Sequence, residues 1–530
     1  MQEINTIFKK FDSPIAYLVI ILCASFVFRF LFFPWNIPLT SDALNYFLYA
    51  TDIIYLGHLP NTLKFANNGW PSFLSIFFSL YKSQNFLDYI MIQRYLSVTI
   101  SVLTIVPAYL FCGRFFPKKY AMIGASLFAF DPRLITNSFL GLTEPLFVLL
   151  GITSFFLFLG NNRSVYASFG VLALMALVRY EGLLLLVPFS IMYFVRFRNE
   201  KTEILKYVLC LTIFILVLLP MVYIRIETTG QDGLTSNLFA GQHYITKHVV
   251  QGVPDDDDPI SGTDYQNKSM FFIITAVTNL TKYVLWIMSP ILIFFVPVGI
   301  FLVLKNKGLA ILNHRVSFMI LCSIVVLIPA FFAYGRDIQE TRYLFMILPV
   351  LNLVFLYTVK KIDTHFNSKK GILVLLISCI ILVSIAYLEY KKIDYQHERE
   401  AFVVAQEIVK VANGVNIYSE NKYIKTAEIA GMWPDLPKSN PSGHVSLETV
   451  KIPVTEYRSL EQFIVDSKLK GLTHLIVDDA ENLAFLSDVF KNDEKYPYLD
   501  KVYDSSGYMH YHVKVYKIDY TIFEKQYSVN

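Results

Sequence analysis

The chain has 530 residues, 55% of them hydrophobic and 17% charged, with a mean hydropathy of +0.47. A soluble globular domain has no use for so many apolar runs, so the sequence is that of a polytopic membrane protein. The net charge of +4 is too small to suggest a nucleic-acid partner, and its distribution along the chain says more than its sum.

A helix needs about 20 apolar residues to cross a bilayer. Eleven runs approach that requirement, near 14–33, 91–113, 119–136, 142–160, 165–180, 182–196, 204–224, 282–304, 315–334, 342–359 and 371–389. The 165–196 stretch reads either as a pair or as one kinked unit, and 270–304 has room for an additional interfacial helix. The first run follows Lys9 and Lys10 and lacks a small-x-small cleavage site, which is the pattern of a retained helix rather than a removed signal peptide. There is no internal repeat. All five cysteines fall in apolar runs, so no disulfide framework is expected outside the membrane.

Alternate loops differ in charge. One set carries Lys9/Lys10, Arg114/Lys118/Lys119, Arg163, Arg196/Arg198/Lys201, Lys305/Lys307/Arg315 and Lys360/Lys361/Lys369/Lys370. Short basic loops mark the cytoplasmic side. The other set carries Asp42, Asp131, Glu144, Glu181, Asp255–Asp258, Asp337 and Glu340. The expectation is therefore a cytoplasmic N-terminus, a first external loop over 34–90, a long external loop over 225–269, and an external C-terminus.

From about Tyr390 the composition becomes that of a soluble domain. His397–Asn413 has the 3.6-residue period of an amphipathic helix, and Ser459–Leu469 reads as a second. Val415–Tyr418, His474–Val477 and His510–Ile518 read as strands. The fold class is a polytopic α-helical membrane protein, with a transmembrane domain over 1–390 and a small external α/β domain over 391–530.

Four polar clusters lie at helix ends on the acidic side. Asp42 follows Thr40 and Ser41, either of which can cap a helix whose first turn favours its charge, and Tyr46 shares its face four residues on. A carboxylate beside hydrocarbon is a functional candidate, although a cap on an interfacial helix accounts for it too. Glu144 opens the helix of "GLTEPLFVLL", where it either complements the helix dipole or does chemistry. Arg179, Tyr180 and Glu181 interrupt "LVRYEGLLLL" and mark a loop, or else form a self-neutralising pair. In "AYGRDIQETRYLFMILP", Arg336, Asp337, Glu340 and Arg342 crowd the entrance of a helix. Arginines there suit phosphate oxygens, unless they merely pair with the two acids. A carboxylate able to take a proton and arginines able to hold a departing phosphate equip a site for attack on a sugar carried by a membrane phospholipid.

Weaker signals remain. The acidic run Asp255–Asp258 makes a divalent metal possible, but its spacing is not that of a calcium loop, and no cofactor is firmly implied. His510 and His512 share a strand face without a thiol to complete a zinc site. Asn267 and Asn279 head external Asn-x-Ser/Thr triplets that permit glycosylation.

Taken in order, an acidic residue followed by "NYFLYA" and "LG", then "TEPLF", "RYEGLLLL" and "ETRYLFMILP", the chain over roughly 14–360 resembles the GT-C glycosyltransferases that use polyprenyl-phosphate sugars. The likeness is to the protein O-mannosyltransferase and lipid A aminoarabinose transferase group. The resemblance implies that Asp42 is catalytic. It also implies an inverting displacement, with the acceptor attacking the anomeric carbon opposite the lipid phosphate. Many relatives carry Asp-Glu where this chain has Asp42-Ala43, which makes Glu144 the candidate substitute for the second acid. The WWDYG signature of oligosaccharyltransferases is absent, which argues against block transfer of an oligosaccharide.

The expected function is transfer of one sugar from a polyprenyl (dolichyl) phosphate donor to a protein, lipid or glycan acceptor on the external face of a prokaryotic cell membrane. Asp42 and Glu144 are the expected catalytic residues. Arg336, Arg342 and Arg179 would bind the donor phosphate, and Tyr46, Glu181 and Glu340 would line the substrate site. The alternatives are a lipid-linked sugar flippase or transporter, which would place polar groups near the midplane and show inverted repeats, and a non-catalytic membrane scaffold. Cysteines introduced singly into a thiol-free chain test the sidedness. Those beside Asp42 and in the tail should react with an impermeant reagent in intact cells, and those beside Lys118 and Lys360 should not.

Overall fold

In hydrocarbon every backbone amide has to find its partner within the chain, so long apolar runs become helices. The structure, a computed structural model, describes residues 14–61, 68–198, 202–251, 268–305, 313–366, 371–412, 417–418, 421–433, 457–479, 483–507 and 509–527. Among these, seven helical stretches are long and apolar enough to span a membrane: Pro14–Leu31, Phe86–Cys112, Tyr180–Phe197, Glu203–Thr229, Lys268–Met288, His314–Gly335 and Thr341–His365. Gly69–Leu80, Glu144–Phe158, Asn162–Val178 and Phe295–Lys305 are shorter apolar helices, and Gly371–Tyr390 is apolar throughout.

Two expected spans are divided. The run at 119–136 breaks at Asp131, whose Oδ1 accepts from the amides of Arg133 and Leu134 at 2.9 and 3.1 Å and so starts a new helix, Pro132–Ser138. The run at 282–304 is cut because Lys268–Met288 stops before Pro290, and helix resumes only at Phe295. Over 165–196, Arg179 is extended between Asn162–Val178 and a 3-10 turn, Tyr180–Leu185, which runs on into Leu186–Phe197.

The described chain divides into two compact units. The first comprises Met1–Phe33, His58–Phe77 and Gln93–Lys391. Two of its buried charged side chains tie helices together. Arg29, on the first apolar helix, donates to the Ala129 carbonyl at 2.7 Å and to Ser101 Oγ at 3.1 Å, joining three helices. Asp363 accepts from the Tyr120 hydroxyl and pairs with Lys119, each at 2.5 Å.

The second unit combines Lys392–Asn530 with Pro34–Gly57 and Phe78–Ile92, two segments that the sequence assigns to the first external loop. Its centre is a four-stranded sheet ordered β1-β2-β4-β3, with β1 Ile417–Tyr418, β2 His474–Asp478, β3 Leu499–Asp504 and β4 Val513–Ile518. The β1–β2 pair is parallel and the others antiparallel. Alternation along the strands buries both faces. Leu475, Val477, Tyr516 and Ile518 pack with Leu460, Phe463, Leu486 and Phe523. Ile476, Val513 and Val515 pack with Phe402, Ala405, Ile424, Ala427 and, from the segment before Asp42, Ile37.

The amphipathic helix is Tyr395–Ala412, and the second tail helix is Leu460–Lys468, capped by Ser459. The last strand starts at Val513, so His510 and His512 precede it. His510 lies against Glu400 and His512 against Asp479, each at 3.2 Å, and they do not converge as metal ligands. Strand β3 escapes the hydropathy pattern because it is an edge strand whose Asp500 and Lys501 face solvent. The Asp255–Asp258 run and Asn267 lie outside the described residues.

Acid should weaken the tail through Asp488. Hydrogen bonds from the Tyr496 hydroxyl, then from Asn492 and Lys495, hold its carboxyl at about 2 against an ordinary 3.8. A folded value below the unfolded one means this carboxylate stabilises the domain above pH 3.8 and loses that contribution as pH falls towards about 2. Asp488→Asn should therefore flatten the pH dependence of tail stability in that window, measured by hydrogen exchange over 484–496.

Candidate functional site

Arg179 stands where the helix Asn162–Val178 has ended, and its extended backbone turns the side chain away from the helix axis. The following 3-10 turn passes close over that helix. A Cβ on Gly182 would lie 3.0 Å from the Ala176 backbone, so glycine at the fourth position of "RYEG" allows the close approach. This placement lets Arg179 reach in two directions. Its Nη2 meets Glu181 Oε1 at 2.7 Å and its Nε meets Oε2 at 3.4 Å, a fork-to-fork pair. Its Nη1 forms an ion pair with Glu144 Oε1 and lies 3.4 Å from Thr143 Oγ1.

Glu144 is the first residue of the helix Glu144–Phe158, where the helix dipole favours a negative charge, and it is only 2% exposed. Oε1 also lies 3.8 Å from Arg342 Nη1. Oε2 is buried without a hydrogen-bond partner among the described residues. Arg342 belongs to the 3-10 turn Thr341–Ile347 and pairs through Nε with Glu340, whose side chain is 47% exposed. The Tyr343 ring lies 5.7 Å from the Arg179 guanidinium and 5.6 Å from that of Arg342.

Glu144, Arg179, Glu181, Arg342 and Tyr343 line one pocket that opens to solvent. Its polar wall is Glu144, Arg179, Glu181 and Arg342, and its apolar wall includes Phe147, Leu185, Val326, Pro329 and Phe345. Two guanidiniums facing Glu144, Glu181 and Glu340 do not form a naked anion site. Arg179 is locked by two well-shielded carboxylates, whereas Arg342 is tethered mainly to a half-exposed one that can swing into water. Of the two cations, Arg179 is the one paired closely with Glu144.

The structure thus gathers Glu144, Arg179, Glu181, Glu340 and Arg342, and adds Thr143 and Tyr343. Sequence reasoning had not singled out these last two, although each adjoins a residue that it had. Arg336 is different. It caps the C-terminus of His314–Gly335, where the helix dipole welcomes a cation, and its guanidinium sits 4.6 Å from the Tyr244 ring; it does not line the pocket. The sequence had placed Arg336 and Arg342 at one helix entrance, but a helix end lies between them. Asn279 is also reassigned. It is 7% exposed within Lys268–Met288 and donates to Asp337 Oδ1 at 2.8 Å, so it is a packed residue and not a glycosylation acceptor.

Asp42 and Tyr46 belong to the second unit. Asp42 is partly exposed in the first turn of Ser41–Leu56, and Tyr46 is buried one turn on. Thr40 occupies the N-cap position but makes no side-chain cap, and Ser41 has φ +50°, a left-handed conformation unusual for serine. Asp52, further along the helix, is only 8% exposed. Among the described residues no three His, Cys, Asp or Glu side chains converge to hold a metal.

No protein-family profile matches the sequence, and no curated protein sequence does either. Solved structures do match in fold. The Archaeoglobus fulgidus oligosaccharyltransferase in its apo form superposes with a TM-score of 0.55 at 13% identity, over 95% of this chain and 74% of that one. The same organism's oligosaccharyltransferase AglB, in complex with an inhibitory peptide and a dolichol-phosphate, gives 0.52 at 12% identity, over 95% and 74%. ArnT from Cupriavidus metallidurans, bound to undecaprenyl phosphate, gives 0.51 at 11% identity, over 95% of this chain and 98% of that one. The chain therefore shares the fold of these oligosaccharyltransferase and ArnT structures.

The locked pair makes a stability prediction. Arg179→Met strands a buried carboxylate and should cost about 3–5 kcal/mol, the usual effect of breaking one side of a buried pair. Adding Glu144→Leu should recover most of the loss, as read from thermal unfolding in detergent.

Proposed function

We propose that this protein is an inverting glycosyltransferase that moves one sugar from a polyprenyl-phosphate donor to an acceptor on the external side of the membrane. The observation that carries the reading is the arginine–carboxylate cluster of Glu144, Arg179 and Arg342 in an apolar-walled pocket. It lies in a chain whose fold neighbours have been seen holding dolichol-phosphate and undecaprenyl phosphate. An apolar wall beside guanidiniums suits a ligand that is hydrocarbon at one end and phosphate at the other.

In this reading Arg342 releases Glu340 and takes the phosphate oxygens, while Arg179, held by Glu144 and Glu181, keeps the pocket electropositive and in register. The acceptor hydroxyl attacks the anomeric carbon as the bond from that carbon to the phosphate oxygen breaks. The bonding electrons pass to polyprenyl phosphate, whose growing charge Arg342 stabilises. The hydroxyl proton passes to Asp42, the role that the resemblance implies for it. Glu144, whose Oε1 is shared by the two arginines, serves as their counter-ion. The alternation of loop charge supports an external location for Asp42 and the tail, with the basic loops in the cytoplasm.

Asp42→Asn preserves shape and removes the proton acceptor, so turnover should fall by about 10²–10⁴-fold. Arg342→Lys keeps the charge and loses the fork, and should raise the donor KM. Both are measured as transfer from a synthetic polyprenyl-phosphate sugar by protein in nanodiscs. An Asp42→Asn protein that folds and transfers at the wild-type rate removes Asp42 as the base. The neutral comparison is a substitution of an exposed acid such as Glu524.

A further inference from the structure

The helix that carries Asp42 starts without a side-chain cap. Thr40 stands at the N-cap with no side-chain cap, and Ser41 is left-handed. Ties to this stretch come from far along the chain. Thr426, fully buried on the helix Ile424–Met432, donates its hydroxyl to the Leu39 carbonyl at 2.8 Å, three residues before Asp42. Ile37 is buried in the tail's own core with Phe402, Ile424 and Ala427. Arg399 Nε meets the Trp35 carbonyl at 3.2 Å. Further along, Trp433 packs its ring 5.9 Å from Phe47, on the Asp42 helix, and 5.9 and 5.3 Å from Phe86 and Tyr89.

We infer that the C-terminal domain is a positioning element for Asp42: Thr426 sets the entry of its helix and Trp433 fixes the helix one turn on. The domain is then part of the catalytic apparatus by support, not a separate module that recognises something on its own. Thr426 and Trp433 are positioning residues and touch no substrate. The physical case is that the entry of the helix is tied by the buried Thr426 hydroxyl and its second turn by the half-buried Trp433 ring, both from far along the chain. This inference rests on the proposed role of Asp42, and the test keeps the two separable.

Hydrogen exchange of the full-length protein in nanodiscs reads the positioning directly. Thr426→Val preserves shape and deletes the bond, so amides at the start of Ser41–Leu56 should exchange about tenfold faster, the factor for one buried hydrogen bond. Thr426→Ser should restore the wild-type rate. Trp433→Ala should have at least as large an effect, and Trp433→Phe a smaller one. Phe463→Leu, in the core on the opposite face of the sheet, should leave these amides unchanged. In the transfer assay Thr426→Val should lower kcat with the donor KM unchanged, whereas a merely destabilised protein would lose active fraction and regain it on Phe463-like controls at lower temperature. Unchanged exchange in Thr426→Val and Trp433→Ala overturns the inference. Faster exchange with undiminished kcat also overturns it if Asp42→Asn is still inactive. If Asp42→Asn is active as well, it is the proposed role of Asp42 that has failed.

Discussion

Arg179 reaches carboxylates on both sides of a helix break, and the local architecture follows from the need to keep it company. An isolated charge within an apolar unit costs several kcal/mol, so a guanidinium can be buried only where acids are brought to it. Glu144 arrives at the start of one helix and Glu181 on a 3-10 turn. Gly182 permits the close crossing that aligns them. Beside that lock, Arg342 shares the Glu144 oxygen and pairs with the half-exposed Glu340.

Much of this was legible in the sequence, for identifiable reasons. Each element of the cluster interrupts an apolar run, and an interruption in hydropathy is visible without knowing what it faces. Pairing is not visible. Glu144 and Arg179 are separated by an entire helical hairpin, and no periodicity links them. Arg336 and Arg342 look alike in one dimension, because the chain does not announce that one closes a helix and the other opens the next. Asn279 was misplaced because the apolar stretch around it merges with the following one, and only the stop before Pro290 separates them.

The tail shows the same division. The amphipathic helix and the central strand β2 are strongly patterned and were found close to their observed ends. The edge strand β3 was not, since charged residues protect an edge by disguising it. Least legible was the company that Asp42 keeps. The tie from Thr426 to Leu39 spans nearly the whole chain, and a threonine near a tryptophan carries no sequence mark of its distant partner.

That long tie has a bearing on biosynthesis. Residues 34–57 and 78–92 leave the ribosome early, yet the unit they complete requires the strands and helices of the last stretch of chain. Until those have been made, the early segments lack the core against which Ile37 and Phe47 are buried. Closing so large a loop is slow and entropically costly, and it comes after the apolar helices have already formed. The unit that holds Asp42 is therefore among the last parts of the molecule to mature, and a nascent or prematurely terminated chain would hold its helices in the membrane while its acidic loop stayed unassembled.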